Sequence, residues 1–261
     1  SRHIISFPFS DTRIFGVLQR IALCYCFASL LIYFLKPKAT LIICGIVLLL
    51  YWIVMKRFGD LTMTGNPERK IDLFLLGEKH MYHGEGLAFD PEGLLSTFPA
   101  ITNVVAGYVA GQFVQLKGKT YEGLVKLMLT GFALFAIAYC WNTVFPVNKK
   151  IWTSSFVLLT IGLDCLILAS VIYLIDFRNY KTGVKFFEVF GKNPLIIYLL
   201  SELLVTVLFM ISINGKPLYT WIYQNIFQWM CDYFGGFIFS VMYVMLVWSV
   251  TYLIDKKKIF I

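Results

Sequence analysis

IWTSSFVLLTIGLDCLILASVIYLI, residues 151–175, carries one charged side chain, Asp164, in an otherwise apolar run of 25 residues. A helix needs about 20 apolar residues to cross the hydrocarbon of a bilayer. A buried core helix of a soluble domain has no use for so many. The run therefore reads as a transmembrane helix. Similar runs lie on both sides of it, at 14–35, 40–55, 93–115, 123–144, 194–213 and 235–254. Together they predict an all-α, polytopic transmembrane helical bundle of about seven spans, organised as one membrane domain over residues 1–261. Residues 56–92 form the one long loop. Residues 218–234, aromatic and broken by polar groups, read as an interfacial helix.

Composition agrees with this reading. Of the 261 residues, 59% are apolar, 15% are charged and the mean hydropathy is +0.74. A soluble domain carries about 25% charged residues, so a soluble enzyme, a disordered chain and a disulfide-stapled secreted domain are all excluded. The net charge of +8 reads as the cation bias of cytoplasmic loops, not as a nucleic-acid surface, because no basic stripe interleaves with aromatics. Lys36, Lys38, Lys117, Lys119, Lys126, Arg178, Lys181, Lys185, Lys192 and Lys256–Lys258 share one side. The positive-inside rule puts that side, and the C-terminus, in the cytoplasm, with loop 56–92 outside. Residues 1–11 lack the pattern of a cleavable signal peptide. Five of the six cysteines (Cys24, Cys26, Cys44, Cys140 and Cys165) lie in apolar runs and read as small buried thiols.

Within the spans, Gly107 and Gly111 form a GxxxG pair suited to close helix packing, and Pro99 predicts a kink in the same helix. Arg20, Asp164 and Glu202 are charges placed inside spans. Such groups are costly in lipid, so Asp164 and Glu202 are expected to face the bundle interior.

The loop is richest in chemistry. His80, His83 and Glu85 precede Asp90-Pro91-Glu92-Gly93. A histidine beside carboxylates suits acid–base work, which makes His83 and Glu85 candidates. Asp90 and Glu92 also fit the role of capping the helix that follows. No spacing typical of metal ligands occurs, so no metal is expected. Asn148, Lys149 and Lys150 stand just before the hydroxyl-rich start of the 151–175 run, where helix N–H groups and a lysine could take an anion. No Walker loop, dinucleotide fingerprint or nucleophile elbow is present.

Several blocks taken together resemble the heparan-α-glucosaminide N-acetyltransferase family, including its bacterial relatives. They are Arg13-Ile14-Phe15-Gly16-Val17-Leu18-Gln19-Arg20, Asp72-Leu73-Phe74-Leu75-Leu76-Gly77, His83-Gly84-Glu85, Asp90-Pro91-Glu92-Gly93, Pro146-Val147-Asn148-Lys149 with Trp152, and Gly191-Lys192-Asn193-Pro194 with Tyr198 and Glu202. The resemblance covers the C-terminal two thirds of the family pattern. It implies an integral membrane acyltransferase that uses acetyl-CoA as a substrate and acetylates a sugar amine or envelope glycan across the membrane. Carried over, it implicates Arg13, Gln19, Arg20, Asn148, Lys149 and Asn193 in binding CoA or substrate. Asp90, Glu92 and Glu202 join His83 and Glu85 as acid–base candidates. The family's main catalytic histidine lies in an upstream block with no counterpart in this sequence, so the chain alone is expected to be inactive. Ser201 departs from relatives that carry histidine there. The expected partners are membrane lipid, a small-molecule or glycan acceptor and no nucleic acid, with a homo-oligomer left open. The competing readings are a transporter, or a non-catalytic membrane subunit, using Asp164 and Glu202.

Overall fold

In lipid, every backbone N–H and C=O must be bonded within the segment that carries it, so apolar runs of this length become helices. The computed structural model describes residues 12–84, 86–230 and 232–258 and bears this out. Among the described residues, six helices are long and apolar enough to cross a membrane, or seven if one bent pair counts as a single span. The contacts group into two units, residues 1–179 and 180–261.

The first unit holds α1 (Val17–Phe34), α2 (Pro37–Phe58), α3 (Pro67–Leu76), α4 (Leu94–Lys117), α5 (Tyr121–Asn142) and α6 (Ser154–Ile172), which a π-helical turn extends over Tyr173–Phe177. Local chemistry sets the starts. Pro37 and Pro67 occupy first-turn positions, where the missing N–H costs nothing. The side chains of Asn66, Thr120 and Thr153 accept N–H groups of the turns that follow them. Helix α4 packs against α1 and α2 through small residues, with Cys24, Ala28, Cys44, Ala100 and Val105 in one buried cluster. Tyr51, Met55, Phe89, Phe145 and Ile151 form a second cluster at the loop end of the unit.

The second unit holds α7 (Val184–Lys192), α8 (Pro194–Met210), a two-residue strand pair β1 (Ser212–Ile213) and β2 (Lys216–Pro217), α9 (Leu218–Ile222) with a π turn over Tyr223–Phe227, and α10 (Asp232–Lys256). Helices α7 and α8 meet at 84°, since Asn193 precedes a proline and leaves the helical region. Asn214 and Gly215, both at positive φ, turn the hairpin. Trp248 stacks on Phe186 at 5.4 Å and donates its indole N–H to the Phe186 carbonyl at 3.1 Å.

Several expectations need correction. Residues 56–92 are not simply loop, since α2 runs on to Phe58 and α3 lies within them. The interfacial helix expected over 218–234 ends at Phe227, and α10 already begins at Asp232. Gly107 and Gly111 are exposed, and a Cβ on either would meet nothing within 4 Å. The close glycine contact is instead between α5 and α6, where a Cβ on Gly131 would come within 2.9 Å of the Gly162 carbonyl. Cys26 and Cys140 are exposed, and only Cys24, Cys44 and Cys165 of the five are buried. Asp164 and Glu202 are exposed rather than inward-facing. The small residues Gly162, Cys165 and Ala169 turn inward on α6 and leave Asp164 outside, while α8 buries none of its residues fully.

Candidate functional site

The loop end of the first unit brings together Arg13, Arg20, Asp90, Glu92 and Lys149. Arg13, just ahead of α1, donates Nε and one terminal nitrogen to Asp90 at 3.3 and 2.5 Å, and that terminal nitrogen also reaches Glu92 at 2.6 Å. Its guanidinium lies 4.7 Å from the centre of the Tyr82 ring. Asp90 is fully buried against this partner. Two carboxylates against one guanidinium leave Arg13 with little charge to spare.

Arg20, one turn into α1, is 6% exposed. It donates to the carbonyls of Pro91 and Ser96, both at 2.7 Å, and its guanidinium lies 4.2 Å from the Trp152 ring centre. Pro99, in the same helix, has no N–H to give the Leu95 carbonyl, the neighbour of the Ser96 carbonyl that Arg20 takes. Trp152 has a φ of 46°, a left-handed conformation uncommon for a bulky residue. It is held there by the arginine on its face and by its indole N–H, which donates to Asn103 at 3.1 Å. Asn103 in turn donates to Thr160 at 3.0 Å.

Behind Arg20 lie two acids that sequence reasoning did not single out as site residues. Asp72 of α3 accepts the Leu94 N–H at 3.1 Å and so caps α4. Glu68, one turn earlier, is fully buried, and neither of its oxygens makes a hydrogen bond of good geometry among the described residues, Ser96 being its nearest donor. Burial pushes the Glu68 carboxyl up to about 8, reinforced by the negative charge of Asp72 and offset in part by Ser96 and Arg20. Burial likewise raises Asp72 to about 6. The sequence signal was the four-residue spacing of Glu68 and Asp72, which puts both on one helical face. Reading the segment as loop concealed it.

Asn148 closes the turn before α6. Its N–H donates to Thr153 Oγ1 at 3.0 Å and its side-chain oxygen accepts the Lys150 N–H at 2.9 Å. Ser154 and Ser155 donate to the carbonyls of Leu48 and Phe145 at 2.7 and 2.6 Å, and the Tyr51 hydroxyl donates to that of Ile151. These bonds tie the turn to α2. In front of it opens a cavity of about 400 Å³, lined by Arg13, Tyr82, Glu92, Lys149, Lys150 and Trp152 among others. Arg13 is already balanced by Asp90 and Glu92, so the surplus positive charge that favours an anionic guest is that of the two lysines, and the two rings offer apolar faces.

The predicted residues therefore separate. Arg13, Glu92 and Lys149 line the cavity, while Asp90, Arg20 and Asn148 hold its walls. Gln19 is exposed on α1 and lies over Gly16, away from the cavity lining. His80 and His83 contact the carbonyls of Thr12 and Met81 through Nδ1, each at 2.9 Å. Glu85 lies outside the described residues. Asn193 and Glu202 belong to the second unit, Asn193 at the α7–α8 bend and Glu202 on α8.

No protein-family model matches the chain. The chain is similar to heparan-alpha-glucosaminide N-acetyltransferase of Homo sapiens, 30% identical over 155 residues, which make up 53% of this chain and 23% of that protein. The protein of the same name from Mus musculus is 30% identical over 162 residues, with 54% and 24% covered. The resemblance read from the sequence blocks is thus found again by whole-sequence comparison. The chain spans about a quarter of the length of these curated relatives. With its long apolar helices, it is an integral membrane protein similar to part of an N-acetyltransferase.

Proposed function

We propose that this chain forms part of a membrane acyltransferase that moves an acetyl group from acetyl-CoA to the amine of an amino sugar or envelope glycan. The observation that carries the reading is the similarity to an N-acetyltransferase. It is joined by a cationic, aromatic-walled cavity at the loop end of the first unit. In the reaction the amine nitrogen, freed of one proton, attacks the thioester carbonyl. The C–N bond forms, the C–S bond breaks, and the sulfur leaves as thiolate and takes up a proton.

The structure narrows which residues can meet an anionic part of either substrate. Arg20 is buried with both terminal nitrogens on carbonyls and a face on the indole, and Arg13 is held by two carboxylates. Lys149 is exposed at the cavity and takes that role, as a point charge that can meet phosphate or carboxylate. Asp90 and Glu92 fix Arg13, while His83 and Glu85 remain the acid–base candidates of this chain. The loop end faces outward and the lysine-rich ends face the cytoplasm, following the distribution of cations.

The test uses the full-length protein in proteoliposomes. Transfer of labelled acetyl from acetyl-CoA to glucosamine, and acetyl-CoA affinity, are measured for wild type and Lys149→Ala. Transfer should be present in the wild type and fall at least tenfold in the variant. Absence of transfer to any amino sugar from the wild type, together with sugar uptake in the absence of CoA, would favour the transporter reading. Transfer that is unchanged in Lys149→Ala would remove the lysine from the site.

A further inference from the structure

Glu68 is the most anomalous side chain in the first unit. It is fully buried, and neither oxygen makes a hydrogen bond of good geometry among the described residues, although the Ser96 hydroxyl and N–H lie near enough to favour its charged form. Asp72, 1% exposed, has one oxygen bound to the Leu94 N–H and the other without a partner. The two unpartnered groups converge. A Cβ on Gly93 would run into Asp72 Oδ2 and come within 2.8 Å of Glu68 Oε1, so both oxygens crowd the same backbone atom at the start of α4. A side chain at this position would have to push both carboxyl ends aside.

The charges around the pair can be enumerated by element. Helix α1 supplies Arg20, the one cation that bears on Glu68. Helix α2 supplies Tyr51, whose hydroxyl proton is given to the Ile151 carbonyl. Helix α3 supplies Glu68 and Asp72 themselves. The segment before α4 supplies Asp90 and Glu92, both held by Arg13. Helix α4 supplies Ser96, whose hydroxyl donates to the Gly93 carbonyl at 3.2 Å and which, with its N–H, also bears on the Glu68 carboxyl. With both acids ionised, two negative charges would face one arginine in a water-poor pocket. With one proton bound, Arg20 and a single carboxylate balance, and the protonated oxygen supplies the donor that the unpartnered acceptors lack.

We propose that Glu68 and Asp72 form a buried proton-binding site, holding one proton between two carboxyls with Arg20 as the fixed counter-charge. The site stands directly behind the cavity wall, because Arg20 bonds Pro91 and faces Trp152, and both of those residues line the cavity. Losing the proton adds a negative charge that draws Arg20 away from the Pro91 and Ser96 carbonyls. The protonation state therefore sets how firmly the wall is held. The upward displacement of both carboxyls by burial agrees with this. The proposal does not depend on the acetyltransferase reading.

The experiment is pH-difference infrared spectroscopy on the full-length protein in lipid nanodiscs. A protonated-carboxyl C=O band should be present in the wild type and disappear with a midpoint well above the ordinary carboxylate range. Glu68→Gln should abolish that band. Asp72→Asn keeps the acceptor for Leu94 but removes the neighbouring charge, so it should lower the midpoint. If Glu68→Gln does not fold, Asp72→Asn decides. No such band in the wild type, or a band and midpoint unmoved by the substitution that folds, overturns the proposal. Loss of acetyl transfer with the band intact would count against the proposed function alone.

Discussion

Arg20 shows how a residue legible in the sequence acquires a different role in the fold. Its place inside a span marks it as significant, yet both terminal nitrogens of its guanidinium go to backbone carbonyls and its face to the Trp152 ring. Arg20→Ala strands those carbonyls and leaves Glu68 and Asp72 without a counter-charge. Removing one partner of a buried ionic network costs about 3–5 kcal/mol, which thermal unfolding in detergent should register as a large fall in midpoint. Arg20→Lys should recover only part of it, because an ammonium lacks the planar fork that reaches both carbonyls. Glu68 gives a pH-dependent counterpart. Its folded value of about 8 stands above the ordinary 4.5, so the folded state holds its proton longer than the unfolded chain. The stability it confers is intact below about 4.5 and is lost as pH rises through 8. Asp72, raised from 3.8 to about 6, acts in the same sense at lower pH. Unfolding midpoints measured across this range should decline towards alkaline pH. In Glu68→Gln the decline between 6 and 8 should flatten, leaving the earlier part that belongs to Asp72.

At the scale of elements, the spans were legible because a bilayer imposes one length and one composition on each of them. Helix α3 was not. Its ten residues include Pro67, Glu68, Arg69, Lys70 and Asp72, a polar mixture that reads as loop until the four-residue spacing of its buried acids is noticed. Its hold on α4 is consequently the part of the candidate site that sequence reading lost, whereas Arg13, Asp90 and Glu92 were found and the structure joins them. Glycines show a second limit. A GxxxG pattern identifies a face that can be approached, not one that is. Gly107 and Gly111 fit the pattern and meet nothing, while Gly131 and Gly162 stand on separate helices and have no pattern in the chain to link them. Gly162→Leu should therefore force α5 from α6, costing about 1–3 kcal/mol or more as an overpacked contact. Gly107→Leu should leave the unfolding midpoint within experimental scatter. Equal losses in the two variants would show that the α4 face is also closely packed.

At the scale of the whole chain, composition fixes the solvent and charge then becomes the informative minority. Charges cluster at helix ends, where headgroups and water reach them, and the exceptions divide into two kinds. Arg20 is inside a span and is enclosed by protein on every side that matters. Asp164 and Glu202 are inside apolar helices and exposed, Asp164 on the first unit and Glu202 on the second. A carboxylate facing hydrocarbon is unfavourable by roughly 2.5–3.5 kcal/mol on insertion scales, so an exposed acid at that depth opposes stability unless it is neutralised. In lipid nanodiscs, Asp164→Leu should raise the unfolding midpoint of the protein, by an amount no larger than that penalty, and Asp164→Asn should give a smaller rise. The contrast with Arg20 makes the measurement decisive, because there the same kind of substitution must lower the midpoint. A fall for Asp164→Leu would mean that a hydrogen-bonding group outside the described residues meets this carboxylate in the membrane. In that case Asp164 would belong with Arg20, as a charge kept inside a span by a partner.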